Sequence, residues 1–410
     1  AQTSFPQNIE KIRFLHSKTK TVRFLRALLC LGAACLLLAA VPLLMAQTEE
    51  PQSSADYAFG QVMNFYLTLD DPAAVRKVTL FFRAPEFENT FVAEAPVANG
   101  GSHYPVDLNQ VRLAPFTTVT YWWRVENKDG SILTTPEQQI AYVDDQFEWQ
   151  SLTQDEVTAH WTGEDVALGQ LALDVAAEAQ PALAALIPNA PTTGYEVYIY
   201  PSSADLRAAL RLTGRDWVGA HAHPELGVLL VTAVNSRTAA SDLRQSIPHE
   251  LVHFYLYQVL GAGYESLPRW FNEGLATLVE STPNPNYARV LETAVANQST
   301  IPFAQLCENF PLAEDQAVLA YAQSYSLLAY IQDRYGNSGV QNLIAVYANG
   351  GDCESGVQQA LGLTLVELEQ AWRQTQQTRS PAAQFFSDSG IWLLLLAGGF
   401  VIAALLVIKT

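Results

Sequence analysis

Two histidines and a glutamate in SIPHELVHFYLYQ (residues 246–258) are the residue types that hold a metal ion beside a base. His249 and His253 lie four positions apart, so on a helix they leave one face about one turn apart. That spacing lets both imidazoles reach one ion. Glu250 adjoins the first histidine, where it can face water on that ion. A catalytic zinc takes three protein ligands and keeps a fourth position open. This stretch therefore offers two ligands and a candidate base. A core helix with two part-exposed histidines has the same spacing, so a third ligand decides between the two readings.

The segment LPRWFNEGLATLVES (residues 267–281) provides one in Glu273. It reads as a second helix, with Pro268 suited to its first turn. Gly261 and Gly263 can end the first helix and let the chain reverse. A helix-turn-helix hairpin then brings Glu273 to the ion, and His249, His253, Glu273 and water complete a four-coordinate site. One Zn2+ per chain is the expected cofactor.

These two segments resemble a gluzincin metallopeptidase of the thermolysin-like superfamily. WFNEGLATLVE is similar to the third-ligand segment of the membrane alanyl aminopeptidase family, with Trp270, Asn272, Glu273, Gly274 and Glu280 in the matching places. The chain as a whole resembles bacterial surface proteins described as peptidase MA-like, over roughly residues 150–377. The resemblance implies zinc on His249, His253 and Glu273. Such an ion polarises the scissile carbonyl and lowers the pKa of its water. Glu250 is then the general base, passing its proton to the leaving amine. The resemblance also implies a tyrosine that donates to the oxyanion. In AYAQSYSLLAYIQDRYG, Tyr321 is favoured, with Tyr325 next; core packing is the alternative for either. Glu280 is a candidate for orienting a ligand histidine, with a solvated helix face as its other reading.

One departure bears on specificity. The aminopeptidases carry a G-A-M-E-N-type stretch that binds the substrate's free amine, and this sequence has none. GVLLVTAV (residues 227–234) fills the expected region without a glutamate and is read as the edge strand of a sheet, able to hold a peptide by β-augmentation. An endopeptidase is therefore preferred to an aminopeptidase, with a peptide or protein as substrate. A surface binding or structural protein with a vestigial peptidase unit is the alternative from another class. The intact ligands and base argue against it. His221 and His223 in GAHAHP look like a metal pair but are read as loop residues. His160 is read as a strand residue without a role.

Composition bounds the rest. The chain has 410 residues, 49% of them hydrophobic, and 41 acidic against 23 basic residues give a net charge of −18. That balance argues against nucleic acid as a partner, because phosphate binding needs clustered Lys and Arg. Two segments are strongly apolar. Residues 27–46 follow six basic residues between Lys11 and Arg26, so residues 1–46 read as a basic region with either a signal peptide or a membrane anchor. Residues 391–408 lack charge and are long enough for a transmembrane helix. The expected place is the cell membrane, with the middle of the chain on the extracytoplasmic side. Cys307 and Cys353 are then a candidate disulfide, with two buried thiols as the alternative.

The expected fold is multidomain. A polar linker (47–56) precedes short β runs between turns at 57–147. These read as an all-β immunoglobulin- or fibronectin-like sandwich, with Trp122 and Trp123 as packing residues. An α+β zinc peptidase domain follows at 148–377, then a linker at 378–390 and the terminal apolar segment. Within the peptidase domain, DVALGQLALDVAAEAQPALAALI is helical by its spacing, YEVYIYP is a strand, and SSADLRAALRL is a helix with Ser203 as a candidate cap.

Overall fold

The computed structural model describes residues 51–378, apart from 99, 191–192, 212–218 and 234–237. Both apolar segments lie outside the described residues, within which no helix is long and apolar enough to cross a membrane.

A β-rich region comes first. Strands β1 (Ser53–Ala58), β2 (Val62–Thr68), β3 (Val75–Arg83), β4 (Phe91–Ala95), β5 (Val97–Ala98), β6 (Gly101–Asp107), β7 (Thr117–Asn127), β8 (Ile132–Thr134) and β9 (Gln138–Tyr142) form two antiparallel sheets. One runs β1-β2-β6-β5. The other runs β4-β3-β7-β8, with β9 also on β7. Residues 53–56, expected in the linker, instead begin β1, where Ser53 to Ala58 pair with Leu67 to Val62. Alternation decides each face. Met63, Phe65 and Leu67 from one sheet meet Leu80, Phe82, Tyr121 and Trp123 from the other in one core. Phe65 and Phe82 stack across it at 5.3 Å. Trp122 points the other way, stacked on Phe81 with Arg83 over its ring.

The second region is built on a mixed sheet. Its strands are β10 (Trp149–Gln154), β11 (Val157–Thr162), β12 (Tyr195–Tyr200), β13 (Ala220–His223) and β14 (Val228–Thr232), in the order β10-β11-β12-β14-β13. β11, β12 and β14 are parallel, while β10 and β13 are antiparallel edges. The edge strand by the cavity is therefore β13, not residues 227–234. β14 lies between β12 and β13, and all five of its residues are buried. A strand covered on both faces reads as a continuous apolar run.

Helices α1 (Val166–Leu186), α2 (Ser203–Ala209), α3 (Ala239–Leu260), α4 (Arg269–Val279), α5 (Asn286–Ala296), α6 (Phe303–Leu306), α7 (Glu314–Ala348), α8 (Cys353–Leu361) and α9 (Leu365–Thr378) follow in order; all but α2 share one core with Val197, Ile199, Leu229 and Val231 on one face of this sheet, while Leu206 and Ala209 of α2 lie in the core on the other face. Tyr198, Tyr200, Val228 and Leu230 face the other way, into the core of the β-rich region. There Tyr200 donates its hydroxyl to buried Asp144 at 3.1 Å. The β-rich region thus covers the far face of the mixed sheet.

Three local details matter. α2 is capped by Ser202, not Ser203; the Ser202 hydroxyl accepts from the Asp205 amide, as a residue just outside the first turn does. α3 begins at Ala239, ahead of Ser246. It stops at Gly261, whose φ of 54° favours glycine. Cys307 and Cys353 form the expected disulfide, across a separation of 46 residues. Closing a loop of that length stabilises by about 4 kcal/mol in the chain-entropy account.

Candidate metal centre

His249 and His253 stand one turn apart on α3, with ring centroids 5.1 Å apart. Glu273 comes from α4. One ligand atom from each of the three lies within 4.8 Å of the others. The Glu273 Oε2 is 3.4 Å from His249 Nε2 and 3.8 Å from His253 Nε2. Hydrogen bonds would be shorter, at about 2.7–3.2 Å. Nitrogen and oxygen ligands sharing one tetrahedral zinc stand about 3.3 Å apart, given metal–ligand bonds of about 2.0–2.1 Å. The donor set and its spacing fit zinc.

Both ring orientations are fixed from behind. His249 Nδ1 lies 2.9 Å from Glu280 Oε1, and His253 Nδ1 lies 2.8 Å from Asn272 Oδ1. With each Nδ1 occupied, each Nε2 is left for the ion, as outer partners of metal-bound histidines arrange it. Glu280 is buried, so the solvated-face reading does not hold. Asn272 is the residue that sequence reasoning left without a role. It adjoins Glu273, and its side-chain amide also reaches the Tyr264 hydroxyl at 3.4 Å.

A proline helps place Glu280. Pro248 sits inside α3 and has no N–H to offer the Arg244 carbonyl one turn back. That carbonyl instead accepts from the Ser281 amide at 3.1 Å. The end of α4 is thereby tied to α3 beside His249. The other end of α4 is tied as well: the Arg269 amide donates to the Cys307 carbonyl at 2.9 Å, and the Trp270 indole donates to Cys353 Sγ at 3.3 Å. Gly274 lets α7 press close, because a Cβ there would lie 2.7 Å from the Ser324 carbonyl oxygen. That approach brings Tyr321 of α7 to the cavity opposite Glu273.

The cavity has a volume of about 720 Å3 and is lined by His249, Glu250, His253, Glu273, Glu280 and Tyr321, among others. Tyr325, the second candidate, does not line it. Tyr321 has its ring 6.3 Å from that of His249. Burial raises its hydroxyl well above the ordinary tyrosine value, and Glu273 adds to this, so it keeps its proton to donate.

Charges in the site are finely placed. Burial pushes the Glu250 carboxyl up to about 7 against the pull of His249. Burial lowers His253 to about 4. Burial also opposes ionisation of Glu273, yet His253, His249 and Arg269 hold it well below the usual carboxylate range. Arg269, one turn earlier on α4, is 3.1 Å from Glu273 Oε1. One carboxylate oxygen thus faces the guanidinium and the other faces the histidines.

His221 and His223 are not loop residues. They lie on β13, where His221 pairs with Leu230 and His223 with Val228, and both line the same cavity. β13 reads Ala-His-Ala-His, so this edge carries no carboxylate. His160 lies on β11, as expected of a strand residue, with Nε2 3.2 Å from Glu196 and its ring stacked on Tyr198.

No curated protein matches the chain. Among solved structures, it is similar to an M1 zinc metallopeptidase from Deinococcus radiodurans, at 13% identity and a TM-score of 0.35, covering 79% of this chain and 89% of that one. It is also similar to BC0361, a polysaccharide deacetylase from Bacillus cereus, at 11% identity and a TM-score of 0.22, covering 42% of this chain and 58% of that one. Likenesses at those scores carry no argument about activity. The sequence match is the stronger finding: residues 175–378 fit the model of the Peptidase MA superfamily, a span that includes every residue of the candidate centre. This segment of the chain is a member of the Peptidase MA superfamily.

Proposed function

We propose that the protein is a zinc-dependent metallopeptidase that cleaves within peptide chains. The observation that carries this reading is the convergence of His249, His253 and Glu273, with both Nδ1 atoms held by Glu280 and Asn272. Zinc, when bound there, supplies Lewis acidity toward water and the scissile carbonyl. The remaining steps belong to the chain. Glu250, poised near neutrality by burial, takes a proton from water and returns it to the leaving amine. Tyr321 donates to the oxyanion that develops on the carbonyl. β13 offers an edge unpaired among the described residues to an extended peptide, and the Ala222 amide on that strand meets Glu250.

The absence of a carboxylate on β13 favours an endopeptidase. A free α-amine would find no anionic partner on the strand along which it would lie. In this reading the β-rich region is an immunoglobulin- or fibronectin-like sandwich whose core continues onto the sheet. Residues 391–408, and 27–46 if retained, hold the protein at the cell membrane with the cavity on the extracytoplasmic side.

The test is cleavage of paired peptides that differ only in an N-terminal block, with Glu250→Gln as the control. Similar rates for blocked and free peptides, lost in the variant, support the endopeptidase reading. Cleavage confined to the free-amine peptide would overturn it in favour of an aminopeptidase.

A further inference from the structure

The cavity contains a second pair of histidines that the proposed mechanism does not use. His221 and His223 alternate on β13, so both side chains leave the same face of the sheet. Their ring centroids are 4.8 Å apart and their planes nearly perpendicular, at 85°. Two imidazoles on one ion, with metal–nitrogen bonds of about 2.0–2.1 Å and a near-tetrahedral angle, bring the centroids to about 5 Å.

The bonding of His223 points the same way. Its Nδ1 is 3.2 Å from Glu225 Oε1. A carboxylate there keeps the proton on Nδ1 and leaves a lone pair on Nε2. That Nε2 is out of reach of solvent and has no hydrogen-bond partner among the described residues. A buried nitrogen without a partner is costly, and a cation between the two rings would satisfy it. Glu225 stands behind His223 as Glu280 stands behind His249.

We propose that His221 and His223 form a second, weaker site for an imidazole-preferring divalent cation on the edge strand, with Glu225 positioning His223. Zinc, copper and nickel are the ions that suit such ligands. Two neutral protein ligands, against two histidines and a carboxylate at the other site, make it the weaker of the two. A cation there sits on the strand along which a peptide would pair. Excess zinc then slows cleavage, a consequence that rests on the peptidase reading, whereas the binding itself does not.

The test is a zinc titration of the full chain after chelator stripping, with bound metal counted at each step. Wild type takes up two ions in separate steps. His221→Ala, a change at an exposed side chain, loses only the weaker ion, and so does His223→Ala. His253→Ala loses the tighter ion and keeps the weaker one. Saturation at a single ion, lost in His253→Ala, would overturn the second site while leaving the metal centre intact. A weaker ion that persists in both edge-strand variants would overturn it too. A single ion sensitive only to His221→Ala and His223→Ala would support the edge-strand site and contradict the metallopeptidase reading.

Discussion

The two histidine pairs of the cavity have nearly the same internal geometry and very different surroundings. On α3 the ring centroids are 5.1 Å apart at 74°, and on β13 they are 4.8 Å apart at 85°. Each pair has a carboxylate behind one ring. The helix pair also has Asn272 behind the other ring, Glu273 in front, and Glu250 beside it. The spacing of two histidines thus says little by itself. What separates a candidate reaction centre from a candidate accessory site is the third ligand, the base, and the tethers that hold both.

Four changes break or sharpen that contrast. The largest effect is expected for Glu250→Gln, which removes the proposed base that only the helix pair has. Turnover of a peptide substrate should fall by about 10²–10⁴-fold, the usual range for a general base, while bound zinc stays constant by metal analysis. Cys353→Ser comes next. It opens the cross-link behind α4 and should cost about 2–4 kcal/mol of stability, seen as a lower denaturant midpoint. Zinc at the helix pair should weaken with it, because α4 carries Glu273, whereas the strand pair has no such dependence.

Glu280→Gln should lower zinc affinity at the helix pair by about 10–100-fold, the range for loss of an outer partner, measured by competition with a chelator. Glu225→Gln is the smallest. It should leave the tight zinc unchanged and weaken only the ion on β13, by about tenfold at the lower end of that range.

Much of the helix pair was legible in the sequence, and the reason is periodicity. Four positions on a helix always make one turn, so His249 and His253 needed only a helix to share a face. Glu273 and Glu280 are seven positions apart, about two turns, so the next helix and the residue that ends it bring both to one side. The roles of Asn272 and Pro248 were not legible, because each acts through a neighbour distant in sequence: His253 for one, the Ser281 amide for the other.

The edge strand was misread for a physical reason. A run such as VLLVT announces a strand but not its neighbours, and continuous burial marks an interior strand rather than an edge. The true edge is four residues of alternating alanine and histidine before Pro224, short as edge strands often are. The β-rich region shows the same limit. Several of its strands could be read from their β-branched and aromatic runs, with Trp122 and Trp123 as packing residues. That its core would extend onto Tyr198 and Tyr200 of the peptidase sheet could not.

The central claim is that α3 and α4 together hold one tight zinc. Its most direct test is metal analysis of the full chain after exhaustive dialysis, beside a His253→Ala variant shown to be folded by circular dichroism. The account predicts about one zinc per chain in the wild type, as a three-ligand catalytic site requires, and none in the variant. A folded wild type that takes up no tight zinc when it is supplied, or a variant that keeps it, would contradict the account.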